Sequence, residues 1–234
     1  MLLKFEQSEQ SIILENREFG YWKITVERPL RLSVNLDKES LERFTKLCAV
    51  QNESQLISVI NELAEKLHFA KINDYNMFLK ELIIVADRFG IKLSAKTFAF
   101  IKNNIAVVDQ NAEKVIKKIH KAGKATVNRL YGLYDVVIDE KNCIVEYEVD
   151  ANLRDTEQIP LLLEGGVERF VKDEILSFTP DAWVDDSKTQ IGYEISFTKY
   201  FYKLEKLRTL EDIKTDIKAL EADTDGLLQE IIGW

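Results

Sequence analysis

The sequence predicts an α+β chain: mostly helical, with small antiparallel β elements near the N-terminus and in the middle, a helical bundle, and a long C-terminal heptad helix. Three observations carry this expectation. Tyr21–Leu36 alternates with period two, the following hundred residues hold a series of capped helical patterns, and the chain from Leu210 onward steps by three and four residues.

In the first stretch Trp22, Ile24, Val26, Leu30, Leu32, Val34 and Leu36 share one parity, opposite Lys23, Thr25, Glu27, Arg31, Ser33 and Asn35. That is the pattern of a half-buried strand or strand pair. Arg28 interrupts the apolar parity and Pro29 removes a ladder donor, so Arg28-Pro29 marks an edge or a break between two strands. Ile12–Leu14 is a candidate short partner. Asp37 is placed to cap a helix from Lys38 to about Val50. Further helices are expected from Glu53 to about Phe69, with Leu56, Ile60, Leu63 and Leu67 at helical spacing, and from Asp74 to Phe89, closed by Gly90 in a left-handed cap. Ser94 opens another to about Asn103, and Asp109 one to about Ala122, closed by Gly123. A winged-helix-like or bundle insert fits this run. Tyr134–Ile138 and Ile144–Val149 are β-branched and flank a turn at Asp139-Glu140-Lys141-Asn142, which reads as a hairpin. Glu164–Ser177 is a helix stopped before Pro180, and Ile191–Ile195 a short strand.

The last element is the most regular. Leu210, Ile213, Ile217, Leu220, Thr224, Leu227 and Ile231 form an a/d seam over three heptads, with Thr209 as N-cap and Glu211 and Asp212 in the first turn. A two-in-seven stripe is narrower than the usual core-facing helix surface. Leu210, Ile213, Ile217, Leu220, Leu227 and Ile231 are therefore the candidate partner-binding residues, against the alternative of a helix packed on its own domain. The organisation expected is a β segment at 1–36, a helical region at 37–133, a hairpin with an aromatic block at 134–208, and a coiled-coil-like helix at 209–234.

The chain has 234 residues, enough for one large domain or two small ones. No apolar run approaches the roughly 20 residues of a membrane span. Met1–Glu6 does not read as a signal peptide, and Cys48 and Cys143 read as reduced, buried thiols, so the expected compartment is the cytoplasm and no membrane partner is expected. A net charge of −8 argues against nucleic-acid binding over the whole surface. Between Arg88 and Arg129, however, ten lysines and arginines face two acids. Within this basic segment Lys114, Lys117, Lys118 and Lys121 recur at helical spacing and are the candidate contacts to DNA phosphates, against the alternative of a solvated helix face. His68 and His120 are isolated, each read on a helix among apolar residues, and no cluster has metal-ligand spacing. No metal site and no catalytic residue is assigned.

Pro180–Lys203 reads P-D-A-W-V-D-D-S-K-T-Q-I-G-Y-E-I-S-F-T-K-Y-F-Y-K, with six aromatics, Trp183, Tyr193, Phe197, Tyr200, Phe201 and Tyr202, in twenty residues. Tyr193, Phe197, Tyr200 and Phe201 have the spacing of a buried helical stripe, while Ile191 and Ile195 fit a strand; docking against neighbouring protein is the preferred role for the aromatics, with stacking on bases as the alternative. The wording resembles the C-terminal region of the modification (methyltransferase) subunit of type I restriction-modification systems. Phe19–Leu32, F-G-Y-W-K-I-T-V-E-R-P-L-R-L, is similar to the segment that follows the catalytic domain in that family. Leu153-Arg154-Asp155-Thr156-Glu157 with Ile159-Pro160-Leu161 is similar to its L-R-D-T-E-x-(V/I)-P-L. Ser196 and Lys199 stand where the family more often has Pro and Arg. No such wording occurs from about Asp37 to Leu133.

The resemblance implies that the whole subunit transfers a methyl group from S-adenosylmethionine to adenine, in complex with a DNA-specificity subunit, indirectly with a restriction subunit, and on double-stranded DNA. It implies that the C-terminal part helps assemble the complex. An adenine methyltransferase needs a glycine-rich cofactor loop and an N-P-P-(F/Y) or D-P-P-(F/Y) loop. The prolines here, at 29, 160 and 180, are not adjacent, and no G-x-G occurs. The chain is therefore expected to bind no cofactor and to be inactive alone. Two other readings are a stand-alone DNA-binding or scaffold protein and a divalent-metal nuclease. The nuclease would use Asp181 and Glu194 in a P-D…E-x-K arrangement in which Ser196 replaces the lysine.

Overall fold

The computed structural model describes residues 7–8, 11–51, 53–68, 71–121, 123–203 and 208–232, with side chains of the last helix described to residue 224. The chain divides into two compact units, Glu15–Glu194 and a second formed by Met1–Leu14 with Ile195–Trp234.

The larger unit begins with β1 (Gly20–Glu27) and β2 (Leu32–Asn35). The break between them falls at Arg28–Arg31, as Pro29 requires. The two strands belong to different sheets. β1 is the centre of an antiparallel sheet with β8 (Asp155–Pro160) on one side and β9 (Trp183–Val184) and β10 (Gln190–Tyr193) on the other. β2 is the centre of a second antiparallel sheet, between β3 (Lys71–Ile72) and β4 (Ala106–Val108). The third sheet is β5 (Ile116–His120), β7 (Lys141–Tyr147) and β6 (Tyr134–Ile138), with β7 central.

Four helices cover the β2 sheet: α1 (Lys38–Val50), α2 (Gln55–Lys66), α3 (Tyr75–Arg88) and α4 (Ala95–Ile105). Asp37 accepts from the Ser40 N–H, Asp74 from the Asn76 and Met77 N–H groups, and Ser94 from the Thr97 N–H, each serving as N-cap where the sequence places one. Gly90 follows α3 at φ 69°. Leu32, Val34 and Leu36 from the strand side pack with Phe44, Leu56, Ile60, Leu63, Phe78, Leu82 and Ile101 from the helices as one core. A smaller core joins Ile24, Val26, Ile159, Ala182 and Val184 to Val171, just beyond α5 (Gly166–Phe170).

The expectation of a mostly helical chain built on a helical bundle is overturned. Among the described residues seven α-helices accompany ten strands in three antiparallel sheets, a mixed α+β fold in which α1–α4 cover a sheet. The largest single change is at 109–122, where no helix forms. Asp109 makes a turn instead, accepting from the Asn111 N–H at 2.9 Å and from Lys71 Nζ at 2.6 Å. The backbone beyond is claimed by its neighbours: the Val115 N–H donates to the Leu30 carbonyl, the Glu148 N–H to the Val115 carbonyl, and the Ile116 N–H to Asn76 Oδ1. With those groups engaged, the β-branched run Val115-Ile116 continues as strand β5. Ala122 lies outside the described residues, as does Phe69 at the expected end of α2.

Two smaller corrections follow from the same geometry. The β6–β7 hairpin is tighter than the four residues expected, since Ile138 pairs with Lys141 across a two-residue turn, with Asp139 at φ 48° and Glu140 at φ 64°. Both values suit a type I′ turn, which glycine or asparagine enters at less cost. The alternation of β1 also fails at its end, where Thr25 and Glu27 are buried along with Ile24 and Val26.

In the second unit α6 (Phe197–Phe201) is one short helix, capped by Ser196. α7 (Leu210–Ile232) is a 23-residue helix beginning where the seam begins. Thr209 Oγ1 accepts from the Asp212 N–H while Asp212 Oδ2 accepts from the Thr209 N–H, a reciprocal cap. Ile12–Leu14 forms no strand.

Glu140→Gly relieves a left-handed residue in the turn and is expected to raise stability by roughly 0.5–1 kcal/mol, read as a higher urea midpoint at unchanged slope. Cys48 is fully buried, and burial, with a contribution from Glu53, pushes its thiol up to about 11. Cys143, on β7, is only half-buried, against the expectation of two buried thiols. Alkylation of native protein near pH 8 should therefore label Cys143 well before Cys48, with both labelled together after unfolding, as peptide mapping by mass spectrometry would show.

Candidate functional site

The residues that carry the family resemblance come from three places in the sequence and meet on one strand. Phe19–Leu32 supplies β1, Leu153–Leu161 supplies β8 along one edge of β1, and Pro180–Lys203 supplies β9 and β10 along the other. Their charged residues join the blocks to one another. Glu27, whose side chain is 1% exposed, accepts from Arg154 Nε at 2.8 and 3.0 Å and from Lys188 Nζ at 2.8 Å. Lys188 also pairs with Asp185 at 2.7 Å. Hydrogen bonds to Asp185 and Glu27 hold the Lys188 ammonium above the usual lysine range, and the same Lys188 contact, with Ser187, holds Asp185 below the usual carboxylate range.

Asp181 makes the second junction. It accepts from Arg28 at 3.2 Å and from Arg31 at 3.3 Å, and Arg31 reaches on to the Ala112 carbonyl at 2.8 Å. The Tyr134 hydroxyl donates to the Asp181 carbonyl at 3.4 Å, and the Tyr134 ring meets Trp183 edge-on at 6.1 Å. Lys114 Nζ lies 5.4 Å from the Tyr134 ring centre and 5.2 Å from that of Tyr147. Burial lowers the Lys114 ammonium from its ordinary value, against an opposing attraction from Asp181.

The four candidate DNA-contact lysines therefore do not share a helix face. Lys114 precedes β5 and is held between two tyrosine rings. Lys117 is the bulged residue of β5, between the Ile116–Tyr147 and Lys118–Glu146 pairs, and is exposed. Lys118 is exposed and lies 3.7 Å from Glu146, while Lys121 is exposed beyond the strand. His120 is on β5 rather than on a helix, with Nε2 2.6 Å from Glu146 Oε1. His68 sits past the end of α2 at φ 56° and is exposed.

Asp181 and Glu194 do not converge. Trp183 pairs with Glu27 at one end of β1, and the Glu194 N–H donates to the Phe19 carbonyl at the other. Eight strand residues at about 3.3 Å each set these ends roughly 25 Å apart, too far to share an ion. Among the described residues no group of three His, Cys, Asp or Glu side chains is placed to hold a metal.

The aromatic block separates as well. Trp183 is buried and Tyr200 half-buried, whereas Tyr193 is 65% and Phe197 67% exposed, and Phe201 and Tyr202 are exposed too, so the alternative of a buried helical stripe does not form. On α7 the seam is open: Leu210 is 85%, Ile213 40%, Ile217 53% and Leu220 64% exposed. Leu227 and Ile231 continue the same helix, and their side chains lie outside the described residues. Among the described residues no helix is long and apolar enough to cross a membrane. No family model, curated protein or solved structure matches this chain.

Alternation along β1 predicts an exposed Glu27, and its burial is a departure from that pattern. The signal in the sequence is the V-E-R-P run, a carboxylate at the end of a strand with an arginine and a strand-ending proline beside it. Removing this buried charge leaves Arg154 and Lys188 without their shared anion, although an amide oxygen can still accept and Lys188 keeps Asp185. Glu27→Gln should cost about 2 kcal/mol in chemical denaturation, whereas Asp186→Asn, at an exposed carboxylate nearby, should stay within about 0.5 kcal/mol.

Proposed function

We propose that this chain is the non-catalytic C-terminal part of a type I modification subunit, and that its work is assembly with the DNA-specificity subunit. The observation that carries the reading is α7, a capped 23-residue helix with an exposed Leu/Ile seam. An apolar seam of this kind is stabilised by burial against another helix at about 25 cal/mol per Å² of apolar surface covered. The convergence of the three resembling blocks on β1 supports the family reading, because residues far apart in sequence form one sheet joined by Glu27 and Asp181.

Methyl transfer belongs, on this reading, to the rest of the subunit. The residues present do not fit S-adenosylmethionine. The glycine pair that a cofactor loop would need, Gly165-Gly166, opens α5 next to Arg169, whose Cδ would lie 2.6 Å from a Cβ at Gly165. At Gly165 the Arg169 side chain fills the space that a bare backbone would offer a ligand, whereas Gly166 opens onto free space, and neither glycine belongs to a G-x-G loop. Contact with the DNA backbone is a secondary part of the proposal and rests on the exposed Lys117, Lys118 and Lys121, with Lys114 engaged by its tyrosines.

Co-expression with the cognate DNA-specificity subunit tests the assembly role. The intact chain should co-purify, and Ile217→Asp with Leu220→Asp should weaken association at least tenfold while leaving helix content by circular dichroism unchanged. Failure of the intact chain to associate would remove the proposal.

A further inference from the structure

On the reading just given, α7 meets a partner helix; the charges beside its seam say what kind. With Leu210 at the first seam position, the residues flanking the seam over the described side chains are Lys214 and Glu221 on one side and Asp216 and Asp223 on the other. Three are acidic and one is basic. Arg208 pairs with Asp216 and offsets part of that charge. The remaining carboxylates flank an apolar strip that ends, among the described side chains, at Thr224. The Thr224 hydroxyl donates back to the Leu220 carbonyl at 2.5 Å. With its hydroxyl used within the helix, this position demands no polar group from a partner.

Two copies of α7 gain little from each other. A parallel pair sets Asp216 opposite Glu221 of the other helix, twice. An antiparallel pair sets Lys214 against Glu221 but also Asp216 against Asp223, so attraction and repulsion cancel. The seam alone does not distinguish a second copy from another protein, whereas its flanks do, because like charges beside a coiled-coil interface act against pairing.

We propose that the occupant of the α7 seam is an amphipathic helix of a different protein, with Leu/Ile-type seam residues flanked by lysine or arginine. The basic side chains would lie along Asp216, Glu221 and Asp223, outside the apolar strip and open to solvent. Such rim charges select partner and register and are sensitive to salt.

The test uses the full chain and two synthetic three-heptad peptides, both with a Leu/Ile seam, one carrying Lys at every flanking position and one carrying Glu. Each peptide repels itself and stays monomeric. Fluorescence anisotropy should show the lysine peptide binding at least tenfold more tightly than the glutamate peptide. The preference should shrink at 0.5 M salt and reverse in the Glu221→Lys, Asp223→Lys variant. Sedimentation of the chain alone should give a monomer. Equal binding of the two peptides, binding of neither, or a dimer abolished by Ile217→Asp would overturn the proposal. Its failure is distinguishable from that of the assembly role. A specificity subunit that binds the charge-reversed variant undiminished removes only the basic-flank inference. A lysine peptide that binds a chain to which no specificity subunit will associate removes only the family-based partner.

Discussion

The buried carboxylate of Glu27 is the constraint around which the β1 sheet is organised. A carboxylate at 1% exposure is tolerated only with its charge matched and its lone pairs filled. Arg154 and Lys188 do both, and they come from the two segments that flank β1. The next residue, Arg28, has turned to Asp181, and beyond the proline Arg31 reaches the same carboxylate. The end of β1 is thus held by ion pairs on both sides of Pro29. Breaking one pair strands a charge, so these contacts specify which segments lie beside β1 more than they add net stability. Pro29 contributes by ending the ladder, which lets β2 enter a different sheet and carry the helical core.

This gives the quoted motifs a physical meaning. The P-D-A-W-V-D run is a structural joint: Asp181 binds two arginines, Ala182 and Val184 enter the small core, Trp183 packs on Tyr134, and Asp185 holds Lys188. The arginine of L-R-D-T-E is the partner of Glu27. Residues that look chemically expressive in the sequence, acids and aromatics in close succession, are mostly occupied in tying strands together. What remains available for recognition is elsewhere, on the seam of α7 and on the exposed aromatics beyond Tyr193.

Features set by local chemistry were legible in advance. The caps at Asp37, Asp74, Ser94 and Thr209, the break at Pro29 and the start of α7 all depend on residues within a turn of one another. The hairpin was legible except for its turn, because its two left-handed residues are Asp and Glu rather than Asn and Gly. The 109–122 segment was misread because its spacing suits a helix while its backbone partners, Leu30, Asn76 and Glu148, are distant in sequence. Glu27 was missed for the same reason: a polar residue is read as exposed until its partners, 127 and 161 residues away, are known. The seam of α7 was legible as a pattern, and its exposure was not, because periodicity shows which residues share a face and not what lies against it.

The lysines of β5 acquire a different significance from their position. β5 is the outer strand of its sheet, with one side unpaired by any strand of that sheet. An outer strand with a β-branched backbone invites a second molecule to add itself in register, the first step toward fibrous aggregates. Lys117 sits at a bulge that interrupts the flat edge, and Lys118 and Lys121 add charge that a stacked copy would have to bring into contact with its own. The bulge and these exposed lysines are features that disfavour edge-to-edge pairing of β5 with a second copy.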